Sequence, residues 1–135
     1  MATAEVFVSV RLSILAFGLI FAATAGSAWA SLSLKSTMRS WKSDAATMDR
    51  ILTGSGTFDA AEAARILQGL AVDAQSLAAR VNATSGQARD VKIRFEKFSS
   101  DAHLAIEGSA SRDRMKAGFS QLRADCRSCH DVYAN

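Results

Sequence analysis

Residues 115–133, MKAGFSQLRADCRSCHDVY, read as a single amphipathic helix. Met115, Phe119, Leu122, Cys126, Cys129 and Tyr133 are spaced 4, 3, 4, 3 and 4, a rhythm that lines one face of an α-helix. Both cysteines of the chain lie in this stretch, on the stripe where an ordinary helical bundle would place leucines. His130 follows the second cysteine directly. Cys126, Cys129 and His130 therefore occupy positions i, i+3 and i+4 and point the same way.

Cys-x-x-Cys-His at this spacing reads as a c-type haem attachment site. Cys126 and Cys129 would add across the two vinyl groups as thioethers, and His130 would sit under the iron as proximal ligand. A thioredoxin-like pair needs a βαβ setting, and the chain has no strand pattern to provide one. Tetrahedral zinc wants four N or S ligands, and beyond this cluster the sequence has only His103 to add. The expected cofactor is one covalent haem c with its iron.

Upstream, the same 4-3 spacing recurs three times. Leu34, Met38, Trp41, Ala45, Met48 and Leu52 form a continuous stripe and predict a first helix over about 33–52. Gly54 and Gly56 stop it. Asp59 followed by Glu62 resembles a capping box and opens a second helix, to about Asn82, carrying Ala63, Leu67, Leu70, Ala74, Leu77 and Val81. After Thr84-Ser85-Gly86 a third helix, about 87–107, carries Val91, Phe95, Phe98, Ala102 and Ala105. Gly108 and Ser109 end it, and Ser111 is the expected N-cap of the fourth. Four helices with short links predict an all-α, antiparallel up-down four-helix bundle over residues 31–135, with the covalently bound haem near one end. The stripes are thin in volume because they are rich in alanine, so the haem-free chain is expected to fold loosely.

The first thirty residues have a different character. Arg11 precedes an unbroken apolar run from Leu12 to Ala23, and Ala28-Trp29-Ala30 supplies an Ala-x-Ala pattern. Residues 1–30 are expected to be a secretory signal cut after Ala30, which would place the mature protein in the periplasm. An uncleaved segment would instead act as a membrane anchor. Export agrees with covalent haem, because the thioethers consume two cysteines that an oxidising compartment would otherwise pair. Cleavage removes one arginine and one glutamate from 16 basic and 13 acidic residues, so the net charge stays at +3. Charges of both signs are interspersed without a polybasic run, which gives no case for nucleic-acid binding.

A Cys-x-x-Cys-His motif on the last helix of a four-helix bundle resembles the class II cytochromes c, the cytochrome c prime family. The resemblance spans the mature chain and includes Phe58-Asp59 at the second helix, Phe98, and residues 126–133. In that family the residue facing the iron opposite the histidine lies twenty positions before the aromatic-Asp pair. Counting back from Phe58 gives Met38, so the resemblance implies the low-spin branch with His130 and Met38 as axial metal ligands. Met38 also lies on the first helix's apolar stripe, and thioether ligation raises a haem's reduction potential. Packing alone is the plainer role for a core methionine. Met48 lies deeper, Met115 shares the helix of the cysteines, and His103 has charged neighbours. An arginine that commonly follows the tyrosine near the C-terminus in this family is Ala134 here.

The sequence shows no catalytic constellation, and the expectation is a non-enzymatic electron carrier that docks with redox partner proteins. The alternative is a high-spin gas-binding protein for nitric oxide or carbon monoxide. Small residues on the first two helices would permit a homodimer, as in relatives. Trp41 and Phe119 are candidates to line the haem or simply to pack, and Arg89, Lys92, Glu96 and Lys97 are expected to be solvated.

Overall fold

The computed structural model describes the backbone of residues 25–134 and the side chains of residues 34–134. Four α-helices account for it: α1 (Ala25–Thr53), α2 (Ala60–Arg80), α3 (Gly86–Glu107) and α4 (Arg112–Tyr133). Among the described residues there is no strand, and the helices pack as an up-down bundle, the unit running from Thr37 onward. The expected helix boundaries are met closely except at the start. α1 is already helical at Ala25, the first described residue, rather than starting near Ser33, because the alanine-rich residues before Ser33 contain good helix formers and no proline. The Ala28-Trp29-Ala30 pattern is thus helical, while residues 1–24 of the expected signal segment lie outside the described residues.

The helix ends follow their local chemistry. Asp59 Oδ1 accepts the Glu62 N–H at 2.9 Å, so one half of the expected capping box is formed. Glu62 turns outward and takes Arg65 through two hydrogen bonds of 2.7 Å. Ser85 caps α3 by accepting from the Ala88 N–H at 3.1 Å. Ser111 is the N-cap of α4 as expected, although its hydroxyl makes no capping bond. The next residue, Arg112, donates to the carbonyls of Gly54 and Gly56 at 2.7 and 2.5 Å and lies over the Phe58 ring. That guanidinium fastens the link between α1 and α2 to the start of α4.

Burial follows the stripes and widens them. On α2, Ile66, Ala71 and Ala78 are buried beside the expected positions, because this helix turns a broad face to its neighbours. Met48, Leu67, Met115 and Leu122 are the largest fully enclosed side chains. Trp41 joins three helices: it stacks on Phe98 at 4.8 Å between centroids, meets Phe95 edge-on, and donates its indole N–H to Asp73 at 3.1 Å. α2 packs closely against α3, and α3 against α4. Ser99, buried on α3, donates to the Ala71 carbonyl of α2 at 3.0 Å, which leaves its hydroxyl satisfied.

Two glycines make opposite predictions. A Cβ on Gly118 of α4 would lie 2.6 Å from the Ala105 Cβ and 2.8 Å from its Cα, atoms that only a helix shift can move. Overpacking of this kind costs about 1–3 kcal/mol, against about 1 kcal/mol gained in helix propensity. Gly118→Ala is therefore expected to lower stability by about 1 kcal/mol. Gly69, inside α2, has nothing within 4 Å of such a Cβ, so Gly69→Ala should raise stability by up to about 1 kcal/mol. Urea midpoints of the two variants check both signs; a stabilised Gly118→Ala would mean that α3 and α4 do not approach as closely as described.

Candidate cofactor site

Cys126, Cys129 and His130 all lie on α4, in its last two turns, where helical spacing puts them on one face. The apolar seam of that helix is buried at Met115, Phe119 and Leu122 and then reaches the surface. Cys126 is exposed, Cys129 half-buried and His130 exposed. The stripe that carries both cysteines is therefore not buried along its whole length. The cause is visible at the same level of the bundle, where Met38 and Val91 are only half-buried and the α3 side chains are the polar Asp90 and Arg94. Neither cysteine is in a disulfide.

Met38 is half-buried and packs against the hydrophobic core, while Leu34, one turn earlier on the expected stripe, is exposed. Contacts between helices fix its height. Trp41 lies against Phe95 and Phe98, and on α4 the residues facing this part of α3 are Asp125 and Ser128, bonded to Lys97 and Arg94. Trp41 is therefore level with about Cys126, and Met38, one turn below, is level with about Cys129. The rival donors are elsewhere. Met48 is fully buried two to three turns away, Met115 is enclosed at the far end of α4, and His103 is exposed on α3. His103 lines an open groove of about 470 Å³ with Gln75, Glu96 and Leu104. Trp41 and Phe119 both belong to the packed core.

The surroundings of the thiols make them poor thiolates. Desolvation by the seam pushes both above the ordinary cysteine range, even though Cys126 is exposed as a residue. The Asp125 carboxylate adds to the rise at Cys126, whereas Arg94 partly offsets it at Cys129. A dithiol tuned for disulfide exchange has its attacking thiol lowered instead. Among the described residues no cluster of three or more His, Cys, Asp or Glu side chains is arranged to hold a metal ion directly.

A polar network missed at the sequence level laces α4 to α3 beside the motif. Arg94 donates from Nε to Asp90 Oδ2 at 2.6 Å and from one terminal nitrogen to Ser128 Oγ at 2.8 Å and to the Ser128 carbonyl at 3.3 Å. Tyr133 donates its hydroxyl to the same Asp90 oxygen at 2.6 Å, and the guanidinium lies 5.7 Å from its ring centroid. Lys97, exposed as expected, also bridges Asp101 and Asp125 at 2.5 and 2.8 Å. Of the other charges named with it, Arg89 is exposed, and the half-buried Lys92 pairs with the exposed Glu96. Arg94 first, then Tyr133, hold the Asp90 carboxyl below its usual range. A lowered carboxyl contributes stability near neutral pH and loses it as pH falls through that lowered value, so this lacing should loosen in acid. The only sequence signal for it was the i, i+4 spacing of Asp90 and Arg94.

No known protein family, curated protein or solved structure matches the chain.

The donor set fits a covalently held haem. Two unpaired thiols and an imidazole share one helical face at the end of an apolar seam, they remain reachable from solvent, and a thioether lies level with them on another helix.

Proposed function

We propose that the chain is an exported, monohaem c-type cytochrome that carries electrons, with His130 and Met38 as axial ligands. The observation that carries this reading is the placement of Cys126, Cys129 and His130 on one face of α4 where the core reaches the surface. Haem bound there supplies a one-electron couple. The two cysteines would tether it, His130 would ligate from α4, and Met38 would ligate from α1. A ligand set retained in both oxidation states keeps rearrangement small during each transfer, which suits a carrier rather than a catalyst. Thioether ligation favours the reduced metal.

The surface around the motif carries mixed charge, with Arg127 and Asp131 both exposed next to the cysteines. Docking with redox partners would therefore be weak and transient, with little steering by net charge. Export is supported by Arg11, the apolar run that follows it, and Ala28-Trp29-Ala30. Among the described residues no helix is long and apolar enough to cross a membrane.

A pyridine haemochrome assay on protein made with the haem-attachment machinery tests the reading. The unmodified chain should yield one covalent haem, and the Cys126→Ala, Cys129→Ala double variant none. The same variant is expected to melt over a broad thermal transition, because the core at that end lacks apolar volume. Purified unmodified chain without covalent haem would overturn the proposal.

A further inference from the structure

Arg94 is the one cation of α3 that reaches the motif itself. Its guanidinium makes bonds in two directions at once: Nε to Asp90 on its own helix, and a terminal nitrogen to the hydroxyl and carbonyl of Ser128 on α4. Ser128 lies between the two cysteines. Asp90 in turn accepts from the hydroxyl of Tyr133, the last residue of α4. The result is a closed circuit, Ser128–Arg94–Asp90–Tyr133, that grips α4 on both sides of Cys129 and His130. Such a grip matters at this place. The last turn of any helix leaves carbonyls without intrahelical partners and frays readily. Here the last buried residue of the seam is Leu122, with Cys129 and Tyr133 only half-buried, so packing holds the residues after it less firmly. A guanidinium at a helix C-terminus also meets the negative end of the helix dipole.

We infer that Arg94 is a positioning residue for the haem-attachment stretch. It holds the final two turns of α4 helical and against α3, so that both thiols and the imidazole are presented along one line. This rests on the proposed haem reading for its purpose, though not for its geometry. It also requires an arginine. A lysine keeps the charge but is a point donor and lacks the planar fork that serves Asp90 and Ser128 together.

The test compares unmodified haem-loaded protein with Arg94→Lys and Arg94→Met. Backbone amide exchange over residues 129–134 reads the grip directly, and the ferric absorption spectrum reads the ligation state. In Arg94→Met, exchange protection should fall about tenfold, the scale expected for losing charge-assisted hydrogen bonds in a locally opening segment, while α2 keeps its protection. The ferric spectrum should become a mixture of ligation states. Arg94→Lys should behave like Arg94→Met. If Arg94→Lys matches the unmodified protein while Arg94→Met departs from it, charge alone is at work and the positioning role is refuted. Unchanged protection and spectra in both variants would refute it as well. Unmodified chain that takes up no haem overturns the cofactor reading and the purpose given to the grip, whereas loss of protection in the variants would still show that the grip exists.

Discussion

In Met38→Ala, a low-spin ferric spectrum is expected to become high-spin, and the reduced protein should bind carbon monoxide rapidly. The reduction potential should fall by about 0.1 V, a modest part of the roughly 0.8 V range over which axial ligands set haem potentials. Met38 lies on α1 level with Cys129, packs against the core, and is only half-buried, so its thioether is not locked among hydrocarbon on every side. Packing loss does not confuse the result. Full burial of a methionine makes its truncation cost about 2–5 kcal/mol, and a half-buried one should cost much less. Met48→Ala is the matched control: Met48 is completely buried, so stability should drop by that larger amount while the spectrum stays low-spin. If Met38→Ala keeps its spectrum and potential, the methionine only packs. A high-spin spectrum in the unmodified protein would instead favour the gas-binding alternative.

The largest effect on folding is expected at Trp41. The indole is 92 % buried, stacks on Phe98, meets Phe95 edge-on and donates to Asp73, so one side chain joins α1 to both α2 and α3. Trp→Ala in a core costs about 3–5 kcal/mol, against a total stability of roughly 5–15 kcal/mol for a single domain. Trp41→Ala should therefore approach the limit of what the bundle tolerates. Trp41→Phe keeps an aromatic ring for the stack and gives up the hydrogen bond to an exposed carboxylate, a loss of about 0.5–1.5 kcal/mol for the bond. Chemical denaturation with far-ultraviolet circular dichroism should order the three proteins accordingly. Equal midpoints for Trp41→Ala and Trp41→Phe would show that the ring contributes no packing between helices.

The sequence carried most of the fold because each helix announces itself twice, by its 4-3 stripe and by its ends. Asp59, Ser85, Ser111 and the glycines after Thr53 all lie at or next to real boundaries. The start of α1 was harder, because an export signal and a helix are both alanine-rich and periodicity does not separate them. The cysteines, the histidine and Met38 were legible as a spacing and a register. Their exposure was not, since a stripe shows which way a residue faces and not where the partners opposite it run out. Arg94 and Tyr133 were hidden for a related reason: a bond from α3 to α4 spans some forty residues and leaves no local pattern beyond the Asp90–Arg94 interval.

The pairing of helices carries a consequence for how the bundle comes apart. α3 lies in the middle, with α2 closely packed on one flank and α4 on the other. α1 adds Trp41, Met48 and Leu52 to the same core, and the Asp49–Arg123 ion pair and the Arg112 clasp at Gly54 tie down its C-terminal half. Loosening of α1 should accordingly begin ahead of Trp41, where Leu34 is exposed and Met38 only half-buried, and proteases should cut there before they cut between Trp41 and Leu52. Met38 lies in that stretch, so under the proposed ligation such fraying would withdraw the thioether while Cys126, Cys129 and His130 stayed on α4.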